Sequence, residues 1–239
     1  MNMKNRYKVL VIEDEVHINN LLCALMDANG YQALSAHSCE EGNLMFASHR
    51  PDLVILDLGL PDRDGMQFLE EIRKDSLVPI IVLSARTDEK DKVLALNAGA
   101  NDYVTKPFGS RELVARVGSA LRTSSHRAIK GMRPGGKFKS RGLVIDYDAR
   151  YVTIDGEEIR LTQTEYNIVA LLSEHAGKML TYDTIITEIW GYKDAGSTKK
   201  LQVNMANIRK KLGAQPGKQN YIINELGVGY RMSEGDDQM

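Results

Sequence analysis

Five times within the first 122 residues the chain passes from a short apolar run to a longer segment whose apolar residues recur at helical spacing. The runs lie near 7–12, 32–36, 53–56, 80–83 and 103–105, and the helical segments near 15–28, 39–48, 65–74, 88–98 and 110–122. Parallel strands need a long crossover between them, and a helix of this length supplies it. The alternation therefore predicts a parallel α/β sheet with helices on both faces. Right-handed crossovers bring the carboxyl ends of the strands to one edge, which is where ligands and chemistry collect in open sheets of this kind.

Reactive groups follow four of those strands. Glu13 and Asp14 come after the first, Asp57 after the third, Ser84 after the fourth and Lys106 after the fifth. Asp57 opens a loop rich in Gly, Pro and Asp. Alone it would read as a solvated acid in a turn. With Glu13 and Asp14 it makes a set of carboxylates that converge if the first and third strands are neighbours. At ~4 Å and an effective dielectric of ~20, each pair of unit charges repels by roughly 4 kcal/mol. A hard divalent cation relieves that repulsion, and Mg2+ suits an all-oxygen site. Lys106 adds positive charge at the same edge and Ser84 a hydroxyl.

Four stretches carry a family resemblance: Val11-Ile12-Glu13-Asp14-Glu15, Leu56-Asp57-Leu58-Gly59-Leu60-Pro61-Asp62, Val82-Leu83-Ser84-Ala85-Arg86, and Ala100-Asn101-Asp102-Tyr103-Val104-Thr105-Lys106-Pro107-Phe108. Together they resemble the receiver domain of two-component response regulators, over residues 1–124. The resemblance implies a flavodoxin-like, doubly wound (βα)5 receiver in which Asp57 accepts a phosphoryl group from a sensor histidine kinase. Glu13, Asp14, Asp57 and the backbone carbonyl of Gly59 would hold Mg2+. Lys106 would pair with the phosphoryl oxygens, Ser84 would hydrogen-bond one of them and Tyr103 would follow it inward, as a two-state switch. A cis peptide at Lys106–Pro107 is also implied. So is a homodimer formed on phosphorylation, in which Lys92 meets Glu112 and Asp102 meets Arg116 across the two-fold axis, around Val93, Leu96 and Ala115. Asn101 stands where the family often has another Asp, so one ion pair is expected to be missing.

Residues 125–141 are polar, basic and punctuated by glycine, and read as a linker. From Leu143 the chain alternates as short strands, with Asp155-Gly156 as a hairpin signal. Helices are then predicted from a capping box at Thr162–Glu165 to near Gly177, from about Tyr182 to Trp190, and from about Thr198 to Leu212, before a closing hairpin at 221–232. In the last helix Leu201, Met205, Ile208 and Leu212 share one face and should pack inward. Lys199, Val203, Ala206, Asn207 and Lys210 lie opposite, a mixture suited to a major groove.

Ile208-Arg209-Lys210-Lys211-Leu212 and Gly227-Val228-Gly229-Tyr230-Arg231 resemble the OmpR/PhoB effector domain, over residues 142–233. That implies a winged-helix (α+β) DNA-binding domain whose partner is promoter double-stranded DNA. Lys199, Lys200, Val203, Asn204, Asn207, Arg209 and Lys210 would face the DNA with Arg231 in the wing, and the loop 191–197 would face RNA polymerase. Ala206, Asn207 and Leu226 stand where the family often has Arg. Within the family, the stretches at 58–62 and 78–86, the reduced arginine content of the last helix and Asn224-Glu225 look most like regulators of potassium-transport genes. Another regulon, for envelope, phosphate or metal stress, is the alternative.

Charge supports the division. Residues 1–124 carry 14 Lys and Arg against 18 Asp and Glu, while 125–233 carry 17 against 11. A basic second half suggests a polyanionic partner. The tail, 234–239, is acidic. Cys23 and Cys39 spell out neither a disulfide framework nor a zinc site, so buried reduced thiols are expected. No apolar run approaches the ~18 residues of a membrane span, so a cytoplasmic protein without membrane contact is expected. Two other classes use part of this pattern. An aspartyl-phosphate phosphatase would place a second acid two residues after the nucleophile, where Gly59 stands. A flavodoxin-like electron carrier would need a Gly/Ser/Thr-rich loop after the first strand, which here is acidic.

Overall fold

The structure is a computed structural model that describes residues 7–124, 136–213 and 221–234. The chain divides into two units, Met1–Ser124 and Ser125–Met239.

In the first unit β1 (Lys8–Ile12), β2 (Gln32–Ala36), β3 (Leu53–Leu56), β4 (Ile80–Ser84) and β5 (Asp102–Thr105) form one parallel sheet in the order β2-β1-β3-β4-β5. Strand residues alternate between two cores, as the two-residue period of a strand requires. Leu10, Ile12, Leu56 and Val82 face one cluster with Phe68 of α3 (Gly65–Asp75), beside α2 (Cys39–His49) and α4 (Glu89–Asn97). Val9, Val11, Ile55 and Leu83 face the other, with Leu22 of α1 (Val16–Ala28) and Leu113 and Val117 of α5 (Ser110–Ser124). Ile12 pairs with Leu56, so the residues that follow, Glu13 and Asp57, leave the sheet side by side. The neighbouring strands that convergence of the acids required are β1 and β3.

The second unit opens with an antiparallel sheet, β6 (Lys137–Ser140), β7 (Leu143–Asp146), β8 (Tyr151–Ile154) and β9 (Glu157–Glu158). Then come α6 (Gln163–Glu174), β10 (Leu180–Thr181), α7 (Tyr182–Trp190), α8 (Ser197–Lys211), β11 (Ile222–Glu225) and β12 (Gly229–Met232), the last two pairing as a hairpin beside β10. This is a winged-helix arrangement. The expected capping box is present: Glu165 N donates to Thr162 Oγ1 and Thr162 N to Glu165 Oε2. Lys211 at the end of α8 also reaches Glu165 Oε2, at 2.6 Å, and so ties α8 to the start of α6.

One boundary is corrected. β6 lies inside the stretch read as linker, where Lys137 and Lys139 face solvent and Ser140 is buried. The lysines on its outer face gave the strand a linker's composition. The rest of that stretch, 125–135, and all of the acidic tail but Glu234 lie outside the described residues.

Candidate functional site

The carboxyl edge of the first sheet gathers the predicted acids. Carboxylate oxygens of Glu13, Asp14 and Asp57 lie within 4.8 Å of one another. Glu13 and Asp57 are buried and Asp14 is half-buried. Lys106 enters from the end of β5, just before a cis bond to Pro107. Its Nζ donates to Glu13 Oε1 at 2.9 Å and Oε2 at 2.7 Å, and to Asp57 Oδ2 at 2.5 Å. Burial pushes Glu13 above the ordinary carboxylate range, against the downward pull of the Lys106 hydrogen bond. For Lys106 burial acts downward, but the hydrogen bonds to Asp57 and Glu13 outweigh it and hold the ammonium above its usual value.

Backbone geometry fixes the acids before any ligand arrives. Asn19 is fully buried in α1, and its Nδ2 donates to the carbonyls of Glu13 at 3.0 Å and Ala36 at 2.9 Å. Its Oδ1 accepts from Ser35 Oγ at 2.7 Å. One side chain thus clamps the ends of β1 and β2. Gly59 N donates to Asp57 Oδ1 at 3.1 Å, which orients the carboxylate. Gly65 starts α3 against the backbone of Asp57 and Leu58, so close that a Cβ there would collide with the Asp57 carbonyl. Asp64 caps the same helix by accepting from Met66 N. Sequence reading missed Asn19 and Gly65, because neither is chemically reactive and the meaning of each lies in what the fold puts beside it.

Ser84 is buried at the end of β4, and its Oγ accepts from Arg86 N at 3.3 Å. Tyr103 is half-buried and donates its hydroxyl to the Arg86 carbonyl at 2.9 Å. The all-oxygen donor set, with one buried acid whose proton affinity burial raises, fits a hard divalent cation. Glu13, Asp14, Asp57 and the carbonyl of Gly59 are the groups that would hold it.

The face expected to dimerise has an internal arrangement. Arg116 NH1 contacts Asp102 Oδ2 at 2.9 Å and its NH2 contacts Glu112 Oε1 at 2.7 Å, within one chain. Three of the side chains expected to pair across a two-fold axis, Asp102, Glu112 and Arg116, therefore already engage one another, because Asp102 on β5 faces Arg116 of α5 and Glu112 is one turn from it. Lys92 and Val93 are half-exposed and Ala115 is exposed, while Leu96 is buried and Leu94 stands 58% exposed beside it. Asn101 is no bare gap in that face: its Oδ1 accepts from Ile80 N at 2.9 Å and Arg73 NH2 at 3.0 Å.

In the second unit Leu201, Met205 and Ile208 of α8, and Leu212 at its C-cap, point into the core as expected. The outward stripe is Lys199, Gln202, Ala206 and Lys210, with Asn207 half-exposed beside it. Lys200 is corrected. It is 5% exposed, with its ammonium 4.7 Å from the Trp190 ring centroid and 2.7 Å from Tyr192 Oη. Asn204, also buried, donates to the Lys200 carbonyl. Lys200 thus belongs to the α7–α8 junction, and Asn204 is satisfied within α8. Val203 shares the outer side by spacing but is nearly buried, so the exposed methyl on that side is Ala206. Arg209 turns inward, with NH2 on the Ile222 carbonyl at 3.1 Å and its guanidinium over Tyr230. Arg231 lies half-buried in β12. Gln202, exposed in the middle of the stripe, was not singled out by the sequence.

A parallel sheet with an acid cluster and lysine at its edge, joined in one chain to a winged helix, defines a two-component response regulator with a DNA-binding effector. Residues 9–118 match the response regulator receiver domain family, and 156–232 match the family described as transcriptional regulatory protein, C terminal. The chain is 41% identical over 223 residues to the KDP operon transcriptional regulatory protein KdpE of Escherichia coli (strain K12), covering 93% of this chain and 97% of that protein. It is 40% identical to the transcriptional regulatory protein KdpE of Mycobacterium tuberculosis (strain ATCC 25618 / H37Rv), with the same coverage. Among solved structures a RitR variant aligns with a TM-score of 0.77 at 26% identity, over 96% of this chain and 100% of that one. The OmpR/PhoB homologue DrrB of Thermotoga maritima aligns with 0.52 at 25% identity, over 95% and 99%. The chain belongs to the OmpR/PhoB-type response regulators. No helix among the described residues is long and apolar enough to cross a membrane.

Proposed function

We propose that Asp57 is the phosphoryl acceptor of this regulator and that its modification controls DNA binding at potassium-transport genes. The observation that carries the first part is the meeting of Glu13, Asp14, Asp57 and Lys106 at one buried edge. An Asp57 oxygen attacks the phosphorus of a phosphohistidine on the sensor kinase, the P–N bond breaks, and the imidazole leaves with its electron pair as an acyl phosphate forms. Mg2+ bound by the acids supplies neutralisation of charge on the phosphoryl oxygens. Lys106, already within reach of Asp57, meets one of those oxygens. Ser84 turns its hydroxyl to another and gives up Arg86 N, and Tyr103 moves into the space that Ser84 vacates. The α4–β5–α5 face then pairs two copies through Val93, Leu96 and Ala115, with Lys92, Asp102, Glu112 and Arg116 redistributed across the interface.

The effector would place α8 in the major groove. Lys199 and Lys210 contact phosphates there, and Asn207 and Gln202 reach base edges. The loop 191–197 presents Lys193 and Asp194 toward RNA polymerase. The assignment to potassium transport is supported by the likeness to the KdpE proteins across nearly the full chain. Labelling with a small phosphoryl donor tests the acceptor: Asp57→Asn should take up no acid-stable, base-labile label, and label persisting on another carboxylate would sink the assignment. Genome-wide capture of DNA by the phosphorylated chain tests the regulon, which is wrong if potassium-transport promoters are not enriched.

A further inference from the structure

A groove of about 500 Å³ opens between α3 and α4 on the receiver. Leu58 and Met66 make its floor, and Leu94 stands on its α4 wall with more than half its surface exposed. Its rim carries three carboxylates, Asp64, Glu70 and Asp91, against the single guanidinium of Arg86. Arg86 is committed to Asp64 at 2.8 Å, which leaves a net of two negative charges at the mouth. An anion would be repelled there, and a purely apolar ligand would strip water from Glu70 and Asp91 without replacing it. A lysine or arginine side chain meets both demands, since its stem covers apolar surface while its head stays among the carboxylates.

We propose that this groove docks a basic amphipathic segment of a protein partner, with apolar side chains on Leu94 and Met66 and cationic heads on Glu70 and Asp91. A free polyamine satisfies the acids but leaves Leu94 uncovered, so the chemistry favours a segment that alternates cation and apolar residue. The groove is also wired to the phosphoryl site. Arg86, its rim cation, is held by Ser84 through its N–H and by Tyr103 through its carbonyl. When those residues turn to a phosphoryl group, the Arg86 backbone loses both anchors; its shift draws the guanidinium off Asp64, the mouth becomes more negative, and a cationic segment binds more tightly. By linkage, the bound segment stabilises the activated receiver to the same degree. This coupling rests on Asp57 being the acceptor, whereas the docking itself does not.

The test uses the full chain and a short helical peptide bearing lysine and leucine on one face, with a glutamate-for-lysine version and spermidine as controls. Amide shifts should concentrate at residues 64–70 and 91–98 for the lysine peptide alone. Glu70→Lys and Asp91→Lys should each weaken binding about tenfold or more, the scale of placing like charges face to face, while leaving DNA binding of the chain intact. Beryllofluoride with Mg2+ should tighten the peptide in the parent chain and not in Asp57→Asn. Equal shifts from spermidine, shifts elsewhere, or binding indifferent to both reversals would overturn the docking site. Peptide binding that survives with no response to beryllofluoride would overturn the coupling, and covalent labelling of Asp57 is scored separately.

Discussion

The acidic edge of the first sheet and the outer face of α8 both concentrate charge, in opposite ways. At the edge, like charges from two strand ends are pressed together in a buried site and held by one lysine. On α8, like charges are spread along one helix and face water. The crowded site is therefore cooperative, so a change to any member shifts the rest. The spread face is additive, and each lysine adds its charge toward a polyanion nearly independently of the next. What looks like one more lysine on the helix, Lys200, belongs to the crowded kind, because its ammonium is buried against Trp190 and Tyr192.

The strongest way to break this contrast is Gly65→Val. It forces a side chain into the Asp57 carbonyl and should destabilise the receiver by about 3 kcal/mol, the upper end for overpacking. Calorimetry should show the receiver transition fall while the effector transition stays.

Lys106→Met removes the charge that, among the described residues, pairs with Glu13 and Asp57. It should cost about 3 kcal/mol without metal at neutral pH, the scale for breaking a buried pair. The sign with pH follows from Glu13, whose folded-state proton affinity is raised above its unfolded value. Its contribution is fully present below pH 4.5, the ordinary value, and is lost as pH rises through the folded value. The Lys106→Met deficit should narrow on acidification, as denaturant titrations across pH would show. A deficit that grew instead would mean that Glu13 is not the strained group.

Asn19→Ala removes the clamp on the Glu13 carbonyl without touching a metal-binding atom. Mg2+ affinity should drop about 10-fold to 100-fold, the range for an outer partner of a metal ligand. Metal titration followed at an amide near Asp57 would separate this from a merely structural role, which would change the melting temperature and leave affinity alone.

On the helix the expected effects are smaller and separable. Lys200→Met should lower effector stability by about 1–2 kcal/mol through the lost cation–π contacts and leave the salt dependence of DNA binding unchanged. Lys210→Ala should do the reverse, reducing the slope of log affinity against log salt by about one. If Lys200→Met flattens the salt slope, the division between buried and outward lysines is wrong.

The edge was readable in the sequence because its chemistry is strand-local: each group follows an apolar run, and sheet topology alone brings Glu13, Asp57, Ser84 and Lys106 together. The inward face of α8 was readable for a similar reason, since Leu201, Met205, Ile208 and Leu212 keep helical spacing. Its flanks were not. Whether Lys200 turns outward depends on Trp190 at the end of α7 and Tyr192 just beyond it, and no period within α8 encodes that. The pairings of Arg116 had the same blind spot, because Asp102 and Glu112 can satisfy it from within one chain as readily as from another.

Trp190, pinned at the α7–α8 junction with an ammonium over its ring, is the only indole in the chain. Tryptophan emission from the intact protein is thus a single-site optical gauge of the effector, blind to the receiver. Excited selectively, it would follow the unfolding of one unit while far-ultraviolet dichroism follows both. A mismatch between the two curves would then measure how independently the signalling and reading halves of this molecule come apart.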